Sequence, residues 1–254
     1  MSNVVVVDVG NTSTSVALAQ NGRILRRSHQ PSNVNSVESV GAAVKKAIRG
    51  VAINGAVLCS VVPKCNAVWM TQLKKETGTK PLLVSHKLNV GVRISYPKAE
   101  TIGADRLANA CAAVGRYGKG PAIVADFGTA LTFDVITAKN AYIGGVIAPG
   151  LPLMTDYLAE KTALLPRIDL RGHYGKVGRN TVEAMRIGAK IGYRGIVREV
   201  TRYLQKALGM KNARLLATGG FAEWALEGLD MPFKIDKDLT LYGLSCIFEL
   251  NQSS

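Results

Sequence analysis

Apolar positions along the chain set out a regular succession of strands and helices. The run Val4 to Val7 is short, β-branched and closed by Asp8 and Gly10, which predicts a buried strand. A Gly/Thr turn and then a second strand follow. Asn21-Gly22 then supplies a two-residue hairpin signal leading into a third strand over Arg23 to His29. Val37, Val40, Val44 and Ile48 recur at helical spacing. Gly55 to Val62, stopped by Pro63, predicts another buried strand, residues 66–76 a helix and residues 81–84 a short strand. Leu107, Cys111 and Val114 form the apolar stripe of an alanine-rich helix. Thr181 to Leu208 has long helical periodicity, interrupted by Gly188, Gly192 and Gly195. Arg214 to Thr218 predicts a strand, a helical stretch follows Gly219-Gly220, and Leu241 to Leu250 predicts a closing helix.

The chain repeats itself once. Residues 4–25 and 122–143 superpose so that Asp8 meets Asp126, Gly10 meets Gly128 and Thr14 meets Thr132. In each copy an apolar strand ends at an aspartate, a Gly/Thr turn follows, and a second strand turns back into a third. Helix and strand units come after each meander, which predicts an α/β protein of two similar lobes. The boundary is expected in the Gly/Pro-rich stretch from Gly115 to Pro121, giving lobes over 1–117 and 118–254.

Composition narrows the chemistry. Among 254 residues, 47% are hydrophobic and 20% charged, a globular balance. No apolar run approaches the roughly 18 residues of a membrane-spanning helix. The N-terminus has no basic segment before its four valines, so no secretory signal and a cytoplasmic location are expected. The four cysteines stand singly without a CxxC pair, and the three histidines (His29, His86, His173) are isolated, so neither a Cys/His nucleophile pair nor a zinc site is supported. The net charge of +14 suits anionic small substrates as well as nucleic acid, but no basic motif interleaved with aromatics accompanies it.

The chemistry-bearing residues cluster in five segments. In Asp8 to Thr14, glycine allows close backbone approach to an anion, amides and hydroxyls donate to phosphate oxygens, and the carboxylate suits a hydrated cation. Asp126 to Thr132 repeats the pattern. One copy alone reads equally well as an ordinary strand-turn-strand; two in matched contexts favour phosphate binding. Neither a P-loop nor a dinucleotide fingerprint is present. Asp105, in Gly103-Ala104-Asp105-Arg106, suits either the dipole of its own helix or a general base beside an anion-gripping arginine. Gly144 to Gly150 and Thr218 to Gly220 suit close ligand approach or simple turns.

Taken in order, DVGNT (Asp8 to Thr12), GADR (Gly103 to Arg106), DFGTALT (Asp126 to Thr132), GGVIAPG (Gly144 to Gly150) and TGG (Thr218 to Gly220) resemble the type III pantothenate kinases almost end to end. That family belongs to the fold group of acetate and sugar kinases, Hsp70 ATPases and actin. The resemblance implies two ribonuclease-H-like lobes with an interlobe ATP cleft. It implies ATP contacts from Asp8, Gly10, Asn11, Thr12, Ser13, Thr14, Ser15 and Thr129. It implies a monovalent cation, potassium or ammonium, at Asp126, and ATP bound with Mg²⁺. It implies pantothenate contacts from Tyr96, Gly103, Ala104, Asp105, Arg106 and Thr181, with Asp105 as proton acceptor, and a homodimer. Two departures are visible. The nearest proline before GADR is Pro97, with Lys98-Ala99-Glu100-Thr101 intervening, and Ser13-Thr14-Ser15 replaces an aliphatic continuation.

The expected activity is phosphorylation of pantothenate at its primary hydroxyl, the first step of coenzyme A synthesis. The alternatives are another small-molecule kinase of the same fold group, or a DNA-associated transcriptional accessory factor. The sequence carries no recognisable DNA-reading helix.

Overall fold

A computed structural model of the chain describes residues 2–170, 172 and 175–252, so His173 lies outside them. The first part of the chain runs β1 (Asn3–Val9), β2 (Ser13–Gln20), β3 (Arg23–Pro31), α1 (Val37–Ile48), β4 (Gly55–Ser60), α2 (Asn66–Thr77), β5 (Leu82–Leu83), β6 (Arg93–Ile94) and α3 (Ala104–Tyr117). It continues with β7 (Ala122–Phe127), β8 (Ala130–Ile136), β9 (Ala141–Pro149), α4 (Leu151–Lys161), α5 (Thr181–Ile187), α6 (Tyr193–Ala207), β10 (Arg214–Thr218), α7 (Ala222–Leu226), β11 (Phe233–Ile235) and α8 (Leu239–Leu250). Two compact units result. Unit 1 holds Met1–Gly120, Ile136–Gly144 and Asp238–Ser254; unit 2 holds Pro121–Val135 and Gly145–Lys237.

In unit 1 the main sheet has the order β3-β2-β1-β4-β5. β1 pairs antiparallel with β2 and parallel with β4, so the valine run sits at the centre of the sheet. Strand alternation divides it between two cores. Val4 and Val6 pack with Cys59, Ala104, Leu107, Cys111 and residues of α8. Val5, Val7 and Val9 pack with Val40, Val44, Trp69 and Leu73 of α1 and α2. Asp8, next in register after Val4 and Val6, therefore leaves the sheet on the face covered by α3 and α8. These two helices approach closely: a Cβ on Gly243 would lie 2.0 Å from the carbonyl oxygen of Ala108. Thr240 Oγ1 also donates to Asn109 Oδ1 at 2.7 Å. This close approach is what brings the closing helix into unit 1.

Unit 1 contains a second, smaller pairing. β6 runs parallel to the start of β9, with Ile94 opposite Tyr142. The Ser95 amide donates to the Tyr142 carbonyl at 2.8 Å.

Unit 2 repeats the strand order of the main sheet. Its order β11-β10-β7-β8-β9 matches β5-β4-β1-β2-β3 strand for strand. β10 runs parallel to β7, with Thr218 opposite Asp126, as β4 runs parallel to β1, with Cys59 opposite Asp8. The long helical stretch expected over 181–208 is realised as α5 and α6 joined by a π-helical turn over Gly188–Gly192. Within that turn Lys190 is buried under the Trp224 ring at 4.2 Å and donates to Glu227 at 2.9 Å. α4 was not expected: Pro152 sits in its first turn, where a missing amide costs nothing.

Candidate active site

The first turn, Gly10 to Ser13, joins β1 to β2. The Gly10 amide donates to the Ser13 carbonyl at 3.1 Å, and a Cβ on Gly10 would lie 3.0 Å from that oxygen. Asn11, Thr12 and Ser13 are exposed at the tip of the turn. Ser32 braces the turn from behind. Its Oγ donates to the Gly10 carbonyl at 2.6 Å and its amide to the Thr12 carbonyl at 2.9 Å. Thr14 is fully buried, its hydroxyl 2.9 Å from Ser32 Oγ. Ser15 stands opposite Asp8 in register and on the same face. Its Oγ lies 2.9 Å from His29 Nδ1, and the His29 imidazole is held below its usual pKa by burial and by Arg27.

Asp105 lies in the first turn of α3, whose start is rooted in the core by Ala104 and Leu107. Gly103 precedes the helix, and a Cβ there would lie 2.5 Å from Asp105 Oδ1, so only glycine leaves the carboxylate its place. Asp105 Oδ1 accepts the Arg106 amide at 2.8 Å. Burial pushes the Asp105 carboxyl above the ordinary carboxylate range, while the Arg106 amide and guanidinium pull the other way. The segment before Gly103 is a single 3₁₀ turn over Ala99–Thr101, closed by Thr101 donating through its amide (2.9 Å) and hydroxyl (2.7 Å) to the Lys98 carbonyl. The stretch between Pro97 and Gly103 is thus a compact local turn.

Tyr96 is 37% exposed and packs against Tyr142, ring centroids 6.4 Å apart and tilted by 58°. The Arg106 guanidinium stands 5.9 Å from the same Tyr142 ring. Unit 1 therefore gathers Tyr96, Arg106 and Asp105 around one end of α3. Neither Ser32 nor Tyr142 carries a motif in the sequence, and both were missed there.

In unit 2, Asp126 is the penultimate residue of β7 as Asp8 is of β1. The Gly128 amide donates to the Ala130 carbonyl at 3.1 Å, closing a turn one residue tighter than the Gly10 turn. Two glycines press on this turn. A Cβ on Gly150 would lie 2.1 Å from the Thr129 carbonyl oxygen, and one on Gly219 would lie 2.6 Å from Asp126 Oδ1. GGVIAPG and TGG thus meet the second turn through backbone rather than side chains. Thr181 is exposed at the start of α5. Asn180 caps that helix by accepting the Glu183 amide at 2.9 Å, and the Glu183 carboxylate reaches back to accept the amide of Arg179, the residue before the cap, at 2.9 Å.

The donors near both turns are carboxylate, hydroxyl and carbonyl oxygens, the set that suits Mg²⁺ and alkali cations. Among the described residues no three His, Cys, Asp or Glu side chains converge.

Known proteins place this chain closely. A protein 42% identical over 246 residues, 96% of this chain and 98% of its own, is the type III pantothenate kinase of Akkermansia muciniphila. The type III pantothenate kinase of Dehalococcoides mccartyi strain 195 is 36% identical over 255 residues, covering 98% of both chains. Among solved structures, a conserved putative Baf family transcriptional activator from Campylobacter jejuni matches with TM-score 0.63 at 16% identity, over 98% of this chain and all of that one. A ROK family glucokinase from Streptomyces griseus, solved with glucose and AMPPNP, matches with TM-score 0.55 at 16% identity, over the whole of both chains. These two show the shared two-lobe α/β fold. The type III pantothenate kinase family model matches residues 4–203, and the chain belongs to that family.

Proposed function

We propose that this chain performs its family's reaction, ATP-dependent phosphorylation of pantothenate for coenzyme A synthesis, with the residues placed above in the following roles. The turn from Gly10 to Ser13, flanked by Asp8 and Ser15, donates to ATP phosphates, and Thr14 holds it from behind through Ser32. Thr129 contributes from the second turn. Gly103, Ala104, Arg106, Tyr96 and Thr181 bind pantothenate, with Arg106 taking its carboxylate. Asp105 orients the primary hydroxyl and accepts its proton as the oxygen attacks the γ-phosphorus. Phosphoryl transfer depends mostly on positioning and charge, so one base among many binding groups is the expected economy.

The observation that carries this reading is Asp105: a carboxylate held off its ordinary pKa by burial, fixed at a helix start, with Arg106 beside it and Tyr96 grouped at the same end. A base whose pKa is shifted toward the working pH is better matched to its task.

Two bound cations complete the reading. Asp8, through water, would hold the Mg²⁺ of ATP; Asp126 and neighbouring carbonyls would hold potassium or ammonium. Such cations supply positive charge where phosphate charge concentrates. Incubation with ATP and pantothenate should yield the phosphate ester of pantothenate's primary alcohol. In the same assay Asp126→Ala should lose most of the stimulation by KCl over an equal concentration of LiCl. A variant stimulated as strongly as the native chain would remove Asp126 from the cation site.

A homodimer belongs to the same reading. α4 exposes Leu153, Tyr157 and Leu158, and Ile147 on β9 is 64% exposed. Apolar side chains in such number suit cover by a second copy. Sedimentation should give twice the chain mass of 27.1 kDa at micromolar concentration, and a monomer there would count against it. The four cysteines are free thiols, which suits the reducing cytoplasm.

A further inference from the structure

Tyr142 and Gly144 are two residues apart on β9, so they share one face of the strand. Tyr142 is fully buried, and its ring meets both Tyr96 and Arg106. Gly144 has φ +108, and a Cβ there would lie 2.9 and 3.1 Å from two carbons of the Tyr96 ring. The backbone is tied at the same place, through Ile94 paired with Tyr142 and the Ser95 amide bound to the Tyr142 carbonyl. The Tyr96 ring is therefore fixed from below by a large side chain and admitted beside it by a missing one.

We propose that Tyr142 and Gly144 form a seat that sets the positions of Tyr96 and Arg106, making both positioning residues for the acceptor substrate. The proposal rests on the reading of Tyr96 and Arg106 as pantothenate contacts. The seat acts before substrate arrives: a ring already held and a guanidinium already stacked lose less freedom on binding. The loss on disturbing the seat should therefore fall on acceptor affinity and spare ATP.

The test is a double-mutant cycle in steady-state kinetics. Gly144→Ala should raise KM for pantothenate about tenfold or more and leave KM for ATP within about twofold. In a Tyr96→Ala background the same substitution should add less than about twofold, because the ring it displaces is gone. Tyr142→Leu should raise the pantothenate KM, and Tyr142→Phe, which keeps the ring, should recover most of that loss. An undiminished Gly144→Ala effect without Tyr96 would overturn the proposal, since backbone strain at φ > 0 would then be the whole cause. So would equal changes in both KM values. A crystal structure of Gly144→Ala separates this proposal from the functional reading. A displaced Tyr96 ring supports the seat even if the native chain proves inactive on pantothenate, and an unmoved ring refutes it even if turnover is normal.

Discussion

Replacing Asp105 by Asn is expected to lower kcat by roughly 10²–10⁴-fold, the usual share of general-base catalysis, while ATP binding stays nearly intact. The amide keeps the shape and still accepts the Arg106 amide, but it cannot take a proton. The native chain should also show an acid limb in kcat/KM, because only the ionised carboxylate accepts the hydroxyl proton. Burial raises the Asp105 pKa, so that limb should lie above the roughly 3.9 of an unperturbed aspartate, and Asp105→Asn should abolish it. The sign for stability runs opposite to that for activity. A carboxyl whose folded pKa is raised stabilises the fold below its unfolded pKa and loses that contribution as pH rises through the folded value. At neutral pH the Asn variant should therefore be no less stable than the native chain, and a thermal melt checks this. Unchanged turnover would remove Asp105 from the chemistry. Lost turnover with a collapsed melting temperature would make its role structural.

The second large effect is expected from Gly219→Ala. Gly219 has φ +93, and the added methyl would meet Asp126 Oδ1 and two backbone atoms of Phe127 at 2.6 Å. Left-handed strain of about 1–2 kcal/mol adds to overpacking of about 1–3 kcal/mol. For a chain of this size that corresponds to a Tm lower by roughly 5–15 °C. Because the displaced atoms belong to the second turn, KM for ATP should rise as well. Gly220→Ala is the control: nothing lies within 4 Å of its added methyl, and its stability should stay near native. Equal melting temperatures for the two variants would contradict the contact geometry.

Much of this architecture was legible because its elements announce themselves locally. The valine run, the Asn21-Gly22 hairpin and the two aspartate-ended strands each carry their own pattern, and the matched copies gave the duplicated sheet order. The packing of Thr14 away from Asp8 could also have been found: period-two alternation puts the two on opposite faces. What escaped depends on distant pairing. β6 is two residues long and exists through its partner β9, so nothing in its sequence marks it. Tyr142 reads as a plain core aromatic until Tyr96 and Arg106 are seen against it. α4 was hidden by Gly150-Leu151-Pro152, which reads as a turn when proline is taken as a breaker rather than as a first-turn residue. The place of α8 rests on Gly243 meeting Ala108, a contact that no periodicity within α8 reveals.

The most direct test of the account is ADP release by the purified chain, with and without pantothenate, under saturating Mg-ATP and KCl. The account predicts ADP formation that depends on pantothenate and falls by the stated factor in Asp105→Asn. ADP release indifferent to pantothenate, or none under any of these conditions, would contradict it.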